Sequence, residues 1–226
     1  MPAGLTVFND NGTFQINDDY SNVQLKSKGT FTVSSPTASY TNSYKGVLFV
    51  AGDNPEVYVT GTGSAYIVVG LKERVNNGWN FTIYSSTQVT FTYYVFDTNL
   101  PPAGTFGLQV FKENGSLVYD SSWRVLRIID VFTLGYPSSQ KTYTSDRVYA
   151  ARLSYSRQNL VEGPIVDSSM DSWTAIAIDT FRISSNAVYT DTGGVFIGVI
   201  PQEWYLTTPW AWGAAPLVVV ADVTGY

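Results

Sequence analysis

The sequence contains no cysteine and no histidine. Disulfides, thiol nucleophiles and zinc–thiolate sites are thereby excluded, as are the Ser-His-Asp, Cys-His and zinc-hydrolase arrangements. Charge is scarce as well, because Asp, Glu, Lys and Arg make up 14% of the 226 residues, against roughly 25% in an average soluble domain. The 13 Lys and Arg residues are scattered without a basic run and the net charge is −5, so the chain lacks the electrostatic footprint of a nucleic-acid binder. Its apolar stretches, such as residues 214–221, fall far short of the ~20 residues a membrane-spanning helix needs, and membrane insertion is not expected. No Gly-x-x-x-x-Gly-Lys loop occurs, and Gly61-Thr62-Gly63 lacks both the Lys and the strand-to-helix context for holding phosphate. The start, Met1 to Asp10, has neither the basic opening nor the apolar stretch of a secretory signal, which predicts a chain made and kept in a cytoplasm.

What is present is a hydrophobic fraction of 44%, with 16 Tyr and 6 Trp. With so few charges, the surface falls to Ser, Thr, Asn, Gln and Tyr. Such a surface suits permanent protein contact, since charges are depleted and Tyr and Trp enriched at interface centres. It equally suits an ordinary β-protein, in which aromatic and Thr side chains fill pleated surfaces.

The chain repeats itself. Gly4-Leu5-Thr6-Val7-Phe8-Asn9-Asp10-Asn11-Gly12 returns as Gly107-Leu108-Gln109-Val110-Phe111-Lys112-Glu113-Asn114-Gly115, an offset of 103. At the same offset Phe14 matches Leu117, Ile16 matches Tyr119, Tyr20 matches Trp123, Val23 matches Leu126 and Leu25 matches Ile128. Apolar positions persist while polar ones drift, as expected of a duplicated structural unit. Each copy opens with a predicted β-hairpin: apolar alternation at Leu5 and Val7, then at Phe14 and Ile16, with Asn11-Gly12 supplying positive backbone angles. In the second copy Asn114-Gly115 does the same, Leu108 and Val110 facing one side and Leu117 and Tyr119 pairing back onto it. A hairpin alone is marginal and must bury that face against another sheet.

Buried strands close both copies, at 89–97 and 217–223, each apolar run ending at an Asp. Further strands are predicted at 45–50, 57–60, 65–71, 80–85, 125–133, 147–154, 173–181 and 195–200, separated by Gly- and Asn-rich turns, and no segment sustains a helical period. The expected fold is all-β, two tandem related β-sandwich-like domains: residues 1–97, then a Pro/Gly linker at 98–105, where Pro101-Pro102 cannot belong to a central strand, then 106–226.

The Gly-Leu-x-Val-Phe-x-x-x-Gly hairpin, the Tyr94-Val95-Phe96-Asp97 strand before a Pro-containing linker, and the renewed Gly107-Leu108-Gln109-Val110-Phe111 resemble a family of small tailed-bacteriophage proteins encoded among tail and tail-tip genes. The resemblance covers roughly the first 25 residues of each half and the linker. It implies a virion part, and the expected role is a structural protein at the tail tip or baseplate region, present in several copies and docking other phage tail proteins. It supplies no catalytic residues. The alternative is a tail module that binds a host surface receptor or glycan.

Carboxylates are the remaining chemistry. Two suffice for a glycosidase, but the fold must place them, and the chain is short for a polysaccharide-degrading enzyme. Asp10, Asp18 and Asp19 offer hard oxygen ligands for calcium without the spacing of an EF-hand loop, and acidic turn residues are usually solvated caps. No catalytic, cofactor-binding or metal residue is expected. The second copy departs from the first at a Trp-rich loop, 203–216, where Trp204, Tyr205, Trp210 and Trp212 lie between strands. Three roles are open to it: contact with another subunit, a stacking platform for sugar rings, or a plug folded onto its own sandwich.

Overall fold

The computed structural model describes residues 7–8, 14–16, 22–37, 43–99, 101–135, 138–162, 173–201, 210–211 and 213–226. All helical or strand structure among them is β. The first half supplies β1 (Val7–Phe8), β2 (Phe14–Ile16), β3 (Gln24–Val33), β4 (Ser35–Pro36), β5 (Tyr44–Ala51), β6 (Glu56–Thr60), β7 (Ile67–Val75), β8 (Gly78–Ser85) and β9 (Val89–Asp97). The second supplies β10 (Gln109–Phe111), β11 (Leu117–Asp120), β12 (Ile128–Thr133), β13 (Ser138–Thr142), β14 (Tyr149–Leu153) and β15 (Gln158–Glu162). It ends with β16 (Trp173–Ser184), β17 (Ala187–Pro201), β18 (Trp210–Ala211) and β19 (Leu217–Asp222).

Two antiparallel sheets face each other. One is six-stranded, in the order β12-β19-β14-β6-β9-β3, and the other runs β13-β17-β16-β7-β8-β5-β4, with β15 and β18 attached beside β16. Leaving aside β4, β15 and β18, both orders read the same from either end once each strand is exchanged for its counterpart in the other half: β3 for β12, β6 for β14, β9 for β19, and β5, β7, β8 for β13, β16, β17. Each half thus supplies part of both sheets, and the halves join antiparallel through Val59 opposite Ala151 in one sheet and Ile67 opposite Phe181 in the other. The register agrees as well. The β3–β9 ladder slips between Leu25 and Ser27, and the β12–β19 ladder slips between Ile128 and Asp130, the same place at the 103-residue offset.

Side chains alternate across a strand, and a strand covered on both faces reads as a continuous apolar run. β19 shows why Leu-Val-Val-Val-Ala belongs there. Val218 and Val220 point into the core between the sheets, while Val219 and Ala221 join a second cluster on the sheet's outer face, with Tyr58, Tyr94 and Phe96 beneath Leu126 and Tyr226. The central core draws on both halves, including Val57 and Phe91 from the first and Ile178 and Phe181 from the second. The units expected at 1–97 and 106–226 therefore share one core.

The terminal aspartates are caps. Asp97 accepts the backbone N–H groups of Thr98 (2.7 Å), Asp53 (2.9 Å) and Asn54 (3.2 Å). Asp222 accepts Arg147 Nη1 (2.8 Å) and the Thr224 N–H (2.9 Å). One pair of counterparts differs in size: Gly29 lies opposite Tyr93 in the first half, whereas Phe132 lies opposite Val218 in the second. A β-carbon on Gly29 would sit 2.6 Å from the Tyr93 hydroxyl.

The second hairpin differs from expectation in its facing. Val110 does lie opposite Tyr119, but Leu108 is exposed, and the ladder slips between Val110 and Phe111 with Val118 as the extra residue of β11, which makes Val118 its more buried apolar residue. Such a bulge puts two residues against one and breaks the alternation. Among Asn114 and Gly115 only Gly115 takes a positive φ, +82°, and its N–H closes the turn onto the Lys112 carbonyl. Asn11-Gly12 lies outside the described residues.

Candidate interaction surface

Of the expected contact residues, Trp204, Tyr205 and Trp212 lie outside the described residues, as do Asp10, Asp18 and Asp19. Trp210 is in β18, opposite Leu160 of β15. The described frame around this segment is hydrogen-bonded throughout its approach from β15. Arg157 Nε donates to Asp179 Oδ2 at 2.6 Å, and Asn159 Nδ2 donates to Asp179 Oδ1 at 2.7 Å. Arg157 Nη1 also reaches the Gly213 carbonyl (3.5 Å), and the Tyr155 hydroxyl donates to the Ala214 carbonyl. The C-terminal end of the loop is thus moored to β15 and its approach.

Two carboxylates, Asp179 and Asp191, lie among the described residues beside this segment. Burial raises the Asp191 carboxyl above its usual range, with the nearby Asp179 charge adding to the effect. Asp179, however, is fully buried with both oxygens bonded, so it offers no atom to a substrate. Among the described residues no group of three carboxylates is placed to hold a metal ion.

The linker is fixed too. Asp120, at the end of β11, accepts Ser122 Oγ (2.6 Å), the Ser122 N–H (2.8 Å), Gln109 Nε2 (2.8 Å) and the Gly104 N–H (2.9 Å). Trp123 Nε1 donates to the Pro102 carbonyl at 3.0 Å. These donors, Ser122 foremost, hold the Asp120 carboxyl at about 2, below its ordinary 3.8. A depressed carboxyl stabilises the fold fully above its unfolded-state value and loses that contribution as pH falls through the folded one. Amide protection at Gly104 and along β10–β11 should therefore fall between about pH 4 and 2, and Asp120→Asn should remove that pH dependence. A wild-type profile identical to the variant's would contradict this role.

On this fixed segment Phe106 stands 93% exposed, with Leu108 and Phe111 about half exposed. Val47, Phe49 and Leu71 are likewise exposed on β5 and β7. Isolated exposed apolar residues are ordinary, but large side chains held in solvent on a rigid backbone are suited to a partner. A polar cleft of about 340 Å³ also opens beside the β7–β8 turn, lined by Lys26, Asp53, Arg74, Asn76, Asn77 and Asn99. Sequence reasoning found none of these surfaces. Phe106, next to the linker, was the most legible, as an aromatic between two glycines.

Comparison of the chain with protein-family models, with curated proteins and with solved structures finds no match.

Proposed function

We propose that this chain is a structural protein of a bacteriophage tail, docking other tail proteins and performing no catalysis. The tail assignment rests on the resemblance of the duplicated hairpin and linker. The docking role rests on Phe106, an aromatic ring standing in solvent on a backbone that Asp120 and Trp123 hold in place. Aromatic anchors on prearranged backbone contribute most to interfaces, because little ordering cost remains. The protein should co-purify with particles, and Phe106→Ala should reduce its incorporation while leaving its folding unchanged. Recovery only from lysate, never from virions, would refute the proposal.

The polar cleft favours a second reading, a receptor- or glycan-binding module, since amides and cations together suit sugar hydroxyls and carboxylates. Excess soluble protein would then block phage attachment, and Arg74→Ala would abolish the block.

A further inference from the structure

The edges of a sheet present unpaired backbone groups, and native proteins blunt them with lysine, proline or very short strands. The described edges of the two large sheets follow that rule with one exception. β3 carries Lys26 and Lys28, β4 is two residues ending in Pro36, β13 is polar with Lys141, and β18 is two residues long. β12 reads Ile-Ile-Asp-Val-Phe-Thr, and Ile128, Ile129 and Val131 are each about half exposed.

The internal two-fold turns this into a controlled comparison, because β3 and β12 occupy equivalent edges. At the 103-residue offset Lys26 corresponds to Ile129 and Lys28 to Val131. The two charges that guard one edge are replaced by two β-branched apolar residues at the other. The backbone is oriented for pairing as well. The Leu134 N–H bonds to the Pro216 carbonyl, so by antiparallel alternation Asp130 and Phe132 address β19, while Val131 and Thr133 turn their backbone groups outward.

We propose that β12 pairs antiparallel with β12 of a second copy of this chain, fusing two six-stranded sheets into one. Charge selects this occupant. Asp130 is ion-paired with Lys141 Nζ and accepts the Tyr143 hydroxyl, both at 2.9 Å, so β12 sets no unpaired charge against itself. With Val131 on the two-fold axis, Asp130 falls opposite Phe132 and not opposite its own copy. Pairing onto the β3 edge would instead bury lysines. The chain already makes a join of this kind internally, where the equivalent strands β6 and β14 meet antiparallel. The contact goes beyond the tail assignment and stands without it.

Sedimentation of the full chain tests it. The wild type should sediment as two chains at micromolar concentration and dissociate on dilution, whereas Ile129→Lys with Val131→Lys should sediment as one chain. Leu71→Lys, on the other sheet, should leave the dimer intact. A wild type that stays monomeric, including one that captures only a strand of another protein, would overturn the proposal, as would a dimer that survives both lysines. Should the lysine variant fail to fold, hydrogen exchange of the wild type decides: protection at the Val131 and Thr133 amides must rise with protein concentration, and an unchanged rate refutes the pairing.

Discussion

Replacing Phe181 by alanine should lower stability by about 3–5 kcal/mol, the usual cost of removing a fully buried phenylalanine. Phe181 has no solvent exposure and lies in β16, opposite Ile67 at the junction between the halves. Against a typical total stability of about 5–15 kcal/mol, that loss leaves a marginal protein. The more telling result is where the loss appears. Because one core draws on both halves, amide protection along β8 should fall together with that along β17, at a lower urea midpoint and with an unchanged slope. Protection of β8 that persists after β17 has exchanged would show the halves to be independent.

Arg157→Met should cost about 3–5 kcal/mol, because it leaves the Asp179 carboxylate buried without its cation. Asn159 then remains on one oxygen, and the other has lost its 2.6 Å partner. Arg157→Met combined with Asp179→Asn should cost less than Arg157→Met alone, since a buried pair replaced by neutral groups of similar size leaves no stranded charge. Equal or greater loss in the double variant would mean that the ion pair is not what Arg157 contributes. The single change should also speed proteolytic cleavage within 203–216, because Arg157 reaches the Gly213 carbonyl.

Much of the architecture was legible. The predicted strands at 45–50, 57–60 and 80–85 fall within β5, β6 and β8, and the closing runs take in β9 and the whole of β19, which is covered on both faces and continuously apolar. β3 and β13 were missed. Both lie at sheet edges, where Lys26, Lys28 and Lys141 replace apolar alternation with the charges that protect an edge, which erases the pattern by which a strand is recognised. The turn between β16 and β17, at Ser185-Asn186, carries no glycine, so β17 appeared only from 195. The joining of the halves was not legible either, since it depends on which strands become neighbours across the junction. Of the four contact residues expected in the Trp-rich loop, Trp210 alone is described, by its backbone. The apolar edge was available in the sequence all along, as the exchange of Lys26 and Lys28 for Ile129 and Val131 at a fixed spacing.

A chain built from two copies of one unit faces a sorting problem as it folds, since β12 has the shape to take β3's place beside β9. The exchanged sizes of one pair resolve it. Setting β12 against β9 would bring Phe132 onto Tyr93, two rings where Gly29 leaves room for one, and setting β3 against β19 would leave Gly29 beside Val218 with a void. Crowding in one mispairing and emptiness in the other both cost stability. Divergence between the copies has in this way labelled each strand with the partner it must find.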